Sequence, residues 1–126
     1  MSIDIEKQVA YWQNGAHEEL ETAALLFKND KVNQGFFWAH LAMEKALKAL
    51  VVRQTQTVPP FIHDLVRLAD KAAITLNDEQ RAFLAACNRF SIHGPYKVPQ
   101  TPIVDSNEVA ATWNRIQEVV EWLLKL

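Results

Sequence analysis

The stretch "GFFWAHLAMEKALKAL", Gly35 to Leu50, decides how the rest of the chain is read. Phe36, Phe37, Leu41, Leu47 and Leu50, continued by Val51, are the large apolar residues of a helix. Ala39, Ala42, Ala46 and Ala49 fill the places between them. Alanine has the highest helix propensity and the least bulk, so this segment is a helix that neighbours can approach closely on more than one side. It predicts a central helix. Glu44 and Lys48 stand four apart in the order that favours an ion pair on a helix surface. The helix must stop before Pro59-Pro60, because neither proline can donate an interior backbone hydrogen bond.

Upstream, Ile5, Val9, Trp12, Ala16, Leu20, Ala23 and Phe27 step by three and four and draw one apolar stripe. Asn29-Asp30-Lys31 separates this first helix from the central one. Downstream, a shorter helix is expected from about Ile62 to Ala73. Asn77 to Gln80 has capping-box form and opens a fourth helix reaching roughly Phe90. Asp105 to Glu108 repeats the device before a last helix, in which Val109, Trp113, Ile116, Val120 and Leu123 step by four and three. No segment reads firmly as a strand, although Lys97 to Val104 has a composition that can run extended. The fold class is all-α: an antiparallel up-and-down bundle of about five helices, in a single domain spanning 1–126.

The formal net charge of −2 gives no global field that would draw the chain onto nucleic acid, so such binding would need a local patch. Cys87 is the only cysteine, which rules out an intramolecular disulfide and suits a reducing compartment. The opening MSIDIEKQVAYW lacks a basic n-region and an apolar h-region, and no apolar run spans a bilayer. A cytoplasmic protein without a membrane partner is expected.

Several chemistries lack their parts. None of His17, His40, His63 or His93 follows a glutamate by three residues, no two histidines are four apart, and one cysteine makes no zinc site. Neither metal nor cofactor is expected. The phosphate-cradling glycine motifs are missing, and Ser91 beside His93 is a poor nucleophile–base pair.

What remains is "NRFSIHGPYKVPQ", Asn88 to Gln100, where the helical pattern breaks. Arg89 and His93 are four apart and share a face if the fourth helix continues through them. A histidine can take the 2′-hydroxyl proton of RNA, and an arginine can stabilise the pentacovalent phosphate, so the two could cut RNA without metal. The plain alternative is that both cap a helix C-terminus. Asn88 can orient a phosphate, Tyr96 can stack on a base or plug the core edge, and Lys97 adds a positive charge. His63-Asp64 reads as a helix start, and His40 as a half-buried histidine bonded to a carboxylate. Trp38 and Trp122 lie off the main stripes and are candidates to face a partner subunit.

Trp12, Ala16, Glu19-Leu20 and Ala23-Ala24 in the first helix resemble the opening of HEPN domains (higher eukaryotes and prokaryotes nucleotide-binding). Gly35 to Leu50 resembles their aromatic entry followed by A-x-E-K-A-x-K-A, and His63-Asp64-Leu65 resembles the H-D-L that opens their third helix. The resemblance implies a homodimer in the bacterial or archaeal cytoplasm that acts with a minimal nucleotidyltransferase as a toxin–antitoxin-like module. Many such proteins are metal-independent RNases with R-x(4–6)-H on a late helix; others bind nucleotides or RNA. Here Arg89 and His93 enclose three residues, one short of that motif. Pro95-Tyr96-Lys97 stands where a second subgroup carries Arg-Tyr-Pro. A nucleotide- or RNA-binding module is therefore expected, with a ribonuclease using Arg89 and His93 as the first alternative. A purely structural assembly partner is the second.

Overall fold

A computed structural model describes residues 3–91 and 105–126. It contains α1 (Ile5–Lys28), α2 (Val32–Thr55), α3 (Leu65–Lys71), α4 (Asp78–Cys87) and α5 (Ser106–Lys125), with a 3-10 turn over Asn88–Phe90. No strand occurs among the described residues, and the all-α expectation holds. The stretch Lys97 to Val104 lies outside them.

Most boundaries are set by side chains that satisfy free backbone groups. Asp4 accepts from Lys7 N–H at 3.1 Å and starts α1. Asn77 and Gln80 close a reciprocal capping box at 2.7 and 2.9 Å and start α4. Asp105 accepts from the Asn107 and Glu108 amides at 2.8 and 3.0 Å and starts α5. The third helix is shorter than the sequence suggests. The Asp64 carboxylate takes the Val66 and Arg67 amides, which fixes the start at Leu65. At the other end Ala73 turns left-handed, with φ 54°.

The central position expected for α2 is observed. It packs on α1 along most of its length and also on α3 and α5. Ala39, Ala42, Ala46 and Ala49 are all buried, as are Ala16 and Ala23 on α1. Small residues on both sides let these backbones come close, and Met43, Leu47 and Val51 fill the space towards α3 and α5. Trp38 and Trp122 are partly buried against this core. No helix among the described residues is long and apolar enough to cross a membrane.

Candidate functional site

The end of α4 positions the first candidate. After Cys87 the helix tightens into the 3-10 turn, and Ser91 leaves it in extended conformation (φ −79°, ψ 142°). The 3-10 turn thus ends at Phe90, with Ser91 the last described residue before His93. The cause is local. Asn88 is buried, and its Oδ1 accepts from Leu65 N–H at 2.9 Å, pinning the turn to the start of α3. Phe90 stacks on Phe36 at 4.3 Å between ring centroids, which anchors the other side. That Asn88 oxygen serves the fold. His93, Tyr96 and Lys97 lie outside the described residues.

Arg89 itself points outward. Its guanidinium lies over the Phe90 ring, 5.0 Å from the centroid, and 3.9 Å from a Glu108 carboxylate oxygen on α5. It lines a groove of about 300 Å³ between α4 and α5. The α4 side contributes Phe83, Ala86, Cys87, Arg89 and Phe90, and the α5 side Ala111, Thr112 and Arg115. Sequence reasoning missed Arg115. Its guanidinium sits 4.3 Å above the Phe83 ring and reaches Glu79 at 3.2 Å. The available signal was helical spacing: Glu108, Ala111, Thr112 and Arg115 follow at three, four and seven and form one stripe of α5.

Cys87 forms the floor of this groove. Burial pushes its thiol up to about 12, while the positive charges of Arg89 and Arg115 pull the other way. It is a packed apolar residue rather than a nucleophile.

A second polar group is assembled at the heart of the fold. Glu44 accepts from Lys48 Nζ at 3.0 Å, and His63 Nδ1 lies 3.0 and 3.1 Å from its two oxygens. His40 Nδ1 is 3.8 Å from the same carboxylate. The Lys48 ammonium also lies over the Trp12 ring, 5.2 Å from its centroid. The ion pair expected on a helix surface is therefore buried, Glu44 being 4% and Lys48 5% exposed. Likewise His40 is fully buried, not half-buried, beside its carboxylate. Both corrections have one origin: α2 is covered on several sides, so it has no wide polar face. Among the described residues no group of His, Cys, Asp or Glu is arranged to hold a metal ion.

A family model for the HEPN domain matches residues 9–126. The chain belongs to the HEPN domain family. No curated protein and no solved structure matches it.

In this HEPN chain the motif pieces that lie apart in sequence meet in space. Glu44 of the A-x-E-K stretch holds His63 of His63-Asp64-Leu65, while Asp64 caps α3 and Leu65 is buried. Lys45, from the same stretch, lies 3.5 Å from Glu19 of α1. Together they bind the first three helices to one another, and Asn88 extends the network to the turn that presents Arg89.

Proposed function

We propose that this HEPN chain binds a nucleotide or an RNA segment as a homodimer and acts with a minimal nucleotidyltransferase, in a toxin–antitoxin-like module. The observation that supports the binding reading is the Arg89 guanidinium, held at the rim of the α4–α5 groove by a turn that is anchored on both sides. A cation fixed beside an open groove can meet a phosphate with paired donors at little cost in side-chain freedom. The homodimer and the nucleotidyltransferase are inferred from the resemblance to small HEPN proteins of this kind.

Metal-independent RNA cleavage by Arg89 and His93 is the competing reading. The end of the 3-10 turn at Phe90 weighs against it, because the helical segment that carries Arg89 stops before His93. One experiment separates the two. Labelled single-stranded RNA and labelled ATP are incubated with purified wild type, Arg89→Ala and His93→Ala in excess chelator, with binding and cleavage both followed. Saturable binding without cleavage, weakened about tenfold by loss of the arginine, is expected. Cleavage by wild type and not by His93→Ala would make the protein a ribonuclease. The oligomer is checked by light scattering, where twice the chain mass is expected. The partner is checked by co-purification with the nucleotidyltransferase.

A further inference from the structure

Two ion pairs lace the groove between α4 and α5. Arg115 on α5 reaches across to Glu79 at the start of α4, at 3.2 Å. Arg89, on the turn that follows α4, reaches towards Glu108 on α5, at 3.9 Å. Each pair joins one wall to the other, and otherwise the two helices make little direct contact. Both glutamates are on the outside: the Glu79 side chain is 80% and the Glu108 side chain 58% exposed. The arginines are better held, each with its guanidinium over an aromatic ring of the groove wall. Pairs of this kind, with one partner loose in water, contribute little to stability and exchange readily.

We propose that Arg115 is the second cation of the binding site, and that Arg89 and Arg115 together take a phosphate ester in this groove, displacing Glu79 and Glu108. The inference rests on the nucleotide- or RNA-binding reading and deepens it by naming the recognised group. The arginines cover Phe83 and Phe90, so these rings do not present a bare platform for a base. The described part of the groove reads charge, and its ligands differ by their phosphates rather than by their bases. Glu79 and Glu108 act as built-in competitors. They occupy the guanidiniums when no phosphate is present and lower the affinity for weaker anions. Cys87 beneath them carries the same geometry, since both positive charges act on its thiol.

The test uses fluorescence anisotropy on the full chain, with a labelled single-stranded RNA in one arm and labelled ATP in the other. Arg115→Met, which keeps an apolar cover on Phe83, is expected to weaken binding about tenfold, as Arg89→Met does. Glu79→Gln combined with Glu108→Gln is expected to tighten binding about threefold or more. These two glutamates are largely exposed, so that variant reports on the site even if an arginine substitution disturbs folding. Arginine dependence in both arms assigns the groove to a terminal phosphate chain; dependence in the RNA arm alone assigns it to backbone phosphates. Wild-type affinity in both Arg115→Met and the double glutamine variant, with Arg89→Met still weakened, overturns the groove while leaving the binding reading intact. No binding by wild type in either arm removes both.

Discussion

At the scale of single residues, Glu44 is the position on which most depends. Its carboxylate is buried and faces the Lys48 ammonium, His63 and His40. Glu44→Ala would leave a buried cation without its counter-charge, which costs about 3–5 kcal/mol. Replacing the pair together, as Glu44→Leu with Lys48→Met, removes the orphan as well and should recover most of that loss. Urea unfolding of wild type, single and double variants checks this. Equal losses in single and double variants would show that the pair is not an energetic unit. Cys87 allows a second prediction, in pH. Its thiol titrates from an ordinary 9.0 in the open chain to about 12 in the fold. The folded state therefore keeps a proton that the unfolded state has lost, and the associated stability is present below pH 9.0 and drains away as pH rises towards about 12. Cys87→Ala should flatten that alkaline decline. Native wild type should also resist thiol alkylation at pH 8 until denaturant is added.

At the scale of elements, two glycines in the first helical pair predict opposite outcomes for one substitution. A Cβ on Gly15 would come 2.9 Å from Lys45 Cδ, the flexible middle of a partly exposed side chain that can move aside. Gly15→Ala should then gain up to about 1 kcal/mol from helix propensity. A Cβ on Gly35 would come 2.8 Å from the Phe27 ring. That ring is wedged between Phe36 at 4.8 Å and Trp113 at 4.7 Å and has nowhere to go. Gly35→Ala should lose about 1–3 kcal/mol from overpacking, more than propensity returns. Thermal unfolding of the two variants side by side decides it, and a shift of the same sign in both would refute the packing argument. The same elements show what the sequence made legible. Helix order and starts were written in local signals such as Asn77 with Gln80 and Asp105, which act within one turn. The burial of Glu44 and Lys48 was not, because an i, i+4 pair looks the same on a solvated face and on a covered one. Arg115 was hidden for a related reason: its stripe of Glu108, Ala111 and Thr112 reads as the outer side of an amphipathic helix until α4 is placed beside it. The 3-10 turn that follows α4 is pinned by a bond from Asn88 to Leu65, 23 residues away, which no local pattern encodes.

At the scale of the whole molecule, charge decides how binding must behave. With a formal net charge of −2 the chain has no overall field to attract RNA. Attraction must come from the few cations that touch phosphate, and salt should report how many phosphates they neutralise. A single-stranded nucleic acid releases counterions so that log K falls with log salt by about 0.7 per phosphate neutralised. Two arginines sharing one phosphate ester in one groove therefore predict a slope of about −0.7. If one RNA segment runs across both grooves of a homodimer, two phosphates are neutralised and the slope should approach about −1.4. Titrations of wild type at several salt concentrations distinguish the two, and Arg115→Met should reduce whichever slope is found. A slope several times steeper would mean that the RNA lies along a broader cationic surface than this groove, and Arg89 with Arg115 would then be a minor part of it. A slope near zero with measurable affinity would mean that contacts other than phosphate hold the ligand. The intermediate value follows only if a near-neutral bundle concentrates its recognition in a pair of arginines.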